Sequence, residues 1–123
     1  MLSLKELYKG AKKTVVALVE DGRSQVIEYL ELLDERSKKK MKALMKHMAD
    51  TGILHGPDLF RHEGDGIYVF KVHHPCSARI FCFFDKNNVV VCTHGADKPG
   101  SRLKIEVKKA KEMRAQYLKQ RSE

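Results

Sequence analysis

The sequence predicts a small α+β domain, an N-terminal strand and two helices followed by a three-stranded meander and a closing C-terminal helix, with the helices packed on one face of a mainly antiparallel sheet. Three observations carry this expectation. Apolar residues recur at helical spacing between residues 24 and 51, alternate between residues 66 and 94, and return to helical spacing after residue 103. The chain has 123 residues, the size of one domain, so 1–123 is read as a single unit. Its 42% hydrophobic and 33% charged residues match an ordinary globular protein and exclude a disordered tail.

Taken in order, residues 1–11 read as a short amphipathic turn or helix, with Leu4, Leu7 and Tyr8 on one side. Thr14 to Val19 is β-branched and apolar, which predicts a strand ended by Glu20-Asp21-Gly22. Ser24 is placed to cap a helix running to about Asp34, with Val26, Ile27, Leu30 and Leu33 on its buried side. Met41, Leu44, Met45 and Met48 fall at i, i+3, i+4 and i+7 of a second helix, which Thr51-Gly52 stops. That methionine stripe reads as core packing. Beyond His55-Gly56-Pro57 come three strand-like runs, Gly66 to Val72, Arg79 to Phe84 and Val89 to His94. Asp85 to Asn88 is a tight turn making a hairpin of the last two. Leu103, Val107, Ala110, Met113 and Tyr117 mark the closing helix, with Ser101 as its cap.

No apolar run approaches the roughly 20 residues that span a bilayer. Charges fall early in Met1-Leu2-Ser3-Leu4-Lys5-Glu6-Leu7, where an export signal needs an apolar stretch. Three cysteines, with no Cys-x-x-Cys pair, argue against a disulfide framework and fit a reducing cytoplasm. His73-His74-x-Cys76 is not a usual zinc spacing, and no phosphate-binding glycine motif occurs, so neither metal nor cofactor is expected. The net charge of +8 calls for an anionic partner. Its distribution says more. Six cations and no acid lie between Arg36 and Lys46, and nine more against two acids lie between Lys98 and Arg121, leaving a nearly neutral centre.

The runs Gly64-Asp65-Gly66-Ile67-Tyr68-Val69-Phe70-Lys71-Val72, Ala78-Arg79-Ile80-Phe81-Cys82-Phe83-Phe84 and Val89-Val90-Val91-Cys92-Thr93-His94-Gly95, followed by the Glu106-x-x-x-Ala110 helix, resemble the HigB-like, phage-derived branch of the RelE/ParE toxins. The resemblance covers residues 13–115 and leaves 1–12 as an N-terminal extension. It implies the toxin of a type II toxin–antitoxin system, an endoribonuclease that cleaves messenger RNA on the ribosome. It also implies an antitoxin with a helix-turn-helix DNA-binding domain. Carried over by position, Lys71, Arg79 and His94 are the catalytic candidates. The family usually continues after its strand with Gly, an aromatic and two lysines. Here Ala96 replaces the aromatic, Asp97 brings a negative charge and Lys98 alone survives, a departure that bears on catalytic strength.

Metal-independent RNA cleavage needs a base for the 2′-OH, cations for the phosphorane and an acid for the departing 5′-oxygen. Histidine serves proton transfer near neutrality, and the planar arginine fork suits phosphate oxygens. Strand connectivity places Lys71, Arg79 and His94 at one end of the sheet, with Arg79 sharing a face with Phe81 and Phe83 and His94 sharing one with Val90 and Cys92. Lys98, Arg102, Lys38, Lys39 and Lys42 are the candidate contacts to the RNA backbone. By default each of these cations is simply solvated, or in the case of Arg79 paired with Asp97. Two further readings share the same fold: a non-enzymatic toxin inhibiting a protein such as a topoisomerase, and a nucleic-acid-binding relative that has lost catalysis.

Overall fold

The computed structural model describes residues 1–122. Six strands form one sheet in the order β1-β2-β6-β5-β4-β3. They are β1 (Leu2–Lys9), β2 (Thr14–Glu20), β3 (Phe60–His62), β4 (Ile67–Val72), β5 (Ala78–Asp85) and β6 (Val89–Asp97). Every neighbouring pair is antiparallel except β2 and β6, which run parallel. The helices are α1 (Gln25–Leu32), α2 (Glu35–Thr51) and α3 (Leu103–Ser122).

The two helices before the meander follow their local signals. Ser24 Oγ accepts from the Ile27 N–H at the start of α1, and an Asp34 carboxylate oxygen accepts from the Ser37 N–H at the start of α2. Gly52, at φ +77°, ends α2 with its N–H on the Met48 carbonyl. The methionine stripe is core: Met41, Met45 and Met48 are buried with Val26, Leu30, Phe70, Ile80 and Cys92. In the β5–β6 turn, Asn87 and Asn88 both have positive φ, which asparagine tolerates better than most residues.

Three expectations are corrected and one strand is added. Residues 2–9 form an edge strand, not a turn or helix. Their leucines, lysines and glutamate suit a helix, yet without them the backbone edge of apolar β2 would stand open, and pairing with it decides. The helices cover both faces of the sheet. α1 and α2 pack on Val15, Ala17, Phe70, Ile80 and Cys92, while α3 lays Val107, Ala110, Met113 and Tyr117 on Val16, Leu18, Val69, Phe81 and Val91. A fully apolar strand such as β2 needs a partner on each side. Ser101 is not a cap, because a turn of 3-10 helix at Gly100–Arg102 runs straight into α3 without side-chain capping. Finally, β3 adds a short edge strand that the sequence reading leaves unassigned.

The β1–β2 turn is fastened to the end of α2. The N–H groups of Lys12 and Lys13 both donate to the Ala49 carbonyl, at 3.0 and 2.9 Å. A Cβ on Gly10 would sit 2.2 Å from the Ala49 carbonyl carbon and oxygen, which are backbone atoms inside a helix and cannot yield cheaply. Gly10→Ala is expected to cost about 3 kcal/mol. Urea denaturation checks this, and an unchanged midpoint would refute it.

Candidate functional site

The register of the meander builds the site. Lys71 of β4 faces Arg79 of β5, and Arg79 faces Ala96 of β6, so the three occupy one row across the sheet end. Arg79 is only 6% exposed. Its Nη1 donates to the carbonyls of Val72 (3.1 Å) and Ala78 (3.0 Å). Among the described residues nothing engages the Nε–Nη2 edge, whose nitrogens are not among the fully buried orphaned atoms. One side of the guanidinium is therefore anchored, and the side with two parallel donors is left for oxygens from outside. Burial lowers the pKa of both cations. For Lys71 the Glu63 carboxylate opposes that effect, while the Arg79 charge adds to it. Arg79 is not paired with Asp97.

His94 shares the sheet face of Arg79, but for a reason that alternation does not supply. Phe81 pairs with His94 and Cys82 pairs with Cys92, so Thr93 is an extra residue and β6 bulges there. The bulge moves His94 off the face of Val90 and Cys92, where strict alternation puts it, and onto the face of Phe81. Its ring stacks on Phe81 with centroids 4.9 Å apart and planes 6° from parallel. Nδ1 lies 3.0 Å from Thr93 Oγ1. Nε2 lies 3.3 Å from Glu106 Oε1 of α3, within ion-pair reach but without hydrogen-bond geometry. The ring is 1% exposed. Burial is the main cause that lowers its pKa to about 4; Lys109 adds to the lowering and Glu106 opposes it. His94 is thus a neutral imidazole at pH 7, closed under the first turns of α3.

The departure at residues 95–97 has a structural account. Gly95 faces the other side of the sheet, where a Cβ would stand 2.2 Å from the Tyr29 ring. Tyr29 crosses this point so that its hydroxyl donates to Asp97 Oδ1 at 2.9 Å. Burial first, and then this hydrogen bond, raise the Tyr29 phenol well above its ordinary range. The Asp97 carboxylate is therefore held by α1 on the far face. Ala96 alone of the three faces the Arg79 side, packed with the α3 cluster.

The remaining candidates divide. Lys98 and Arg102 are exposed just beyond β6, and the Lys98 N–H donates to the Ser77 carbonyl, so Lys98 stands beside the β4–β5 loop at the same sheet end. Lys38, Lys39 and Lys42 do not join them. Lys38 pairs with Glu35, and Lys38 and Lys42 line a groove with Lys5 and Leu7 of β1 and Ile27 of α1. The cation of that run turned toward the loop is Lys40, whose Nζ donates to the His74 carbonyl at 2.7 Å. Buried Ser37 fixes the same loop, with Oγ 3.2 Å from the Cys76 N–H and 3.1 Å from its Sγ. Lys40, Ser37 and His73 escape a reading by strand position alone. Their signal was the His-His-Pro loop next to Lys71. Cys82 and Cys92 are buried, and burial raises both thiols, Cys92 to about 12.

No helix among the described residues is long and apolar enough to cross a membrane. Residues 28–117, which is 90 of 123, match the model of a family described as phage-derived protein Gp49-like, DUF891. No curated protein and no solved structure matches.

Proposed function

This chain belongs to the phage-derived Gp49-like family, a RelE-like toxin family of toxin–antitoxin systems, and on that premise we propose that it is a HigB-like messenger-RNA endonuclease acting on the translating ribosome. Membership implies an antitoxin partner; that this partner carries a helix-turn-helix domain, and that the toxin works in the cytoplasm, belong to the proposal. The observation that carries it is the Lys71–Arg79 pair, with Arg79 held by two carbonyls at Nη1 and its Nε–Nη2 edge without a partner among the described residues. In the reaction the 2′-hydroxyl gives up its proton as its oxygen attacks the adjacent phosphorus, the bond to the 5′-oxygen breaks and that oxygen takes up a proton, and a 2′,3′-cyclic phosphate remains. Arg79 binds the phosphate oxygens through its paired donors and Lys71 adds charge as the phosphorane forms. Lys98 and Arg102 hold the neighbouring backbone. Lys38, Lys39 and Lys42 lie on another surface and would contact ribosomal RNA. His94 is retained for proton transfer, which requires the first turns of α3 to leave the sheet, since the imidazole is covered by Glu106.

Mapping 5′ ends of a reporter transcript in a purified translation system tests this reading, with and without ribosomes. New ends that require ribosomes are expected. Ends without ribosomes would make the protein a free ribonuclease. Absence of new ends alongside growth arrest would favour inhibition of a protein target, and absence of both would favour a decayed relative with Ala96-Asp97 as the altered segment.

A further inference from the structure

Where β4 ends beside Lys71, the chain and α2 enclose a groove of about 320 Å³. Its floor is apolar, made by Ala43 and Leu44 of α2 with Leu59 and Val72. Lys40 and Lys71 also line it, and no carboxylate does. The walls are built before any ligand arrives. Lys40 is fastened to the His74 carbonyl, and His73 Nε2 donates to the Asp58 carbonyl at 2.7 Å, which fixes the imidazole that lines the groove. A carbonyl can only accept, so Nε2 carries the proton and Nδ1 is left free.

We infer that this groove is a subsite for one base of a single-stranded RNA, with the adjoining phosphate between Lys40 and Lys71. The inference rests on the nuclease reading and deepens it. An apolar slot with a fixed imidazole suits the face of a base, and the two lysines suit the phosphate next to it. Lys71 both lines this groove and pairs across the sheet with Arg79, so the phosphate position lies next to the row that holds the proposed cleavage site. The volume is at the small end for a ligand site, room for a base rather than a helix face.

The test uses the full chain and a fluorescent 2′-O-methyl hexaribonucleotide, which lacks the attacking hydroxyl, read by anisotropy at low salt. Ala43 is exposed on α2, so Ala43→Glu places a carboxylate in the groove at a helix position that tolerates it. Lys86→Ala makes the same change in net charge in the exposed β5–β6 turn, outside the groove. Ala43→Glu is expected to weaken binding about tenfold and Lys86→Ala less than twofold. Removing one base from the probe is expected to weaken binding to the wild type and not to Ala43→Glu. Equal affinities for wild type and Ala43→Glu would overturn the subsite and leave the groove to an apolar side chain of an antitoxin, as would equal losses in the two variants. If the wild type binds as expected but cuts no transcript on ribosomes, the nuclease reading fails while the nucleotide subsite stands.

Discussion

Replacing Arg79 with alanine is expected to reduce transcript cleavage by about 10²- to 10³-fold, the loss found when one donor to a transition-state oxyanion is removed. Two features are the basis of this expectation. Its guanidinium is held at Nη1 by the Val72 and Ala78 carbonyls, so the free edge is oriented before substrate arrives. It is also largely buried, so its interaction with a phosphate is screened less than that of an exposed lysine. Arg79→Ala also releases two carbonyls, costing about 1–2 kcal/mol of stability, which a melting curve measures separately. Arg79→Lys discriminates. It keeps the charge and loses the paired donors, so it is expected to recover only part of the activity. Cleavage by folded Arg79→Ala at the wild-type rate would remove Arg79 from the site.

The second large effect concerns His94 and pH. Its folded pKa of about 4 lies below the ordinary histidine value of 6.5. The unfolded chain therefore binds more protons than the folded one between those values, and stability falls as pH drops from about 6.5 toward 4. The loss across that window is about 3 kcal/mol. Asp34 and Asp65, whose carboxyls are lowered by hydrogen bonds from Ser37 and Lys111, lose their contributions only below the ordinary carboxylate range, so the upper window belongs to His94. His94→Asn is expected to be less stable at pH 7, because the Phe81 stack and buried ring volume go, yet to show a flat stability profile between pH 6.5 and 4.5. Urea midpoints at several pH values decide it; an unchanged slope in the variant would assign the pH dependence elsewhere.

The sheet end was legible because connectivity alone requires it. In a meander the end of β4, the start of β5 and the end of β6 must be neighbours, and Lys71, Arg79 and Ala96 stand in one row accordingly. The side on which His94 falls was not legible. A one-residue bulge at Thr93 reverses its face, and nothing in Val89 to Gly95 announces an extra residue. The fate of Asp97 was also hidden, since its partner Tyr29 lies 68 positions away. Among the lysines of α2, helical spacing says which point away from the core, but not which of the outward ones meets the His74 loop.

By itself the sequence determined the elements whose signals are local: the Ser24-capped α1, α2 with its methionine stripe and glycine stop, the asparagine turn, the three strands of the meander and the apolar side of α3. It determined the excess of positive charge as well. Tertiary structure alone decided that Leu2–Lys9 is a strand, that α3 lies on the face opposite α1 and α2, and that His94 is buried beneath Glu106. The reason is common to all three. Periodicity reports that a residue has an apolar side to bury, whereas the identity of what covers it depends on distant segments that compete for the same sheet edge or face.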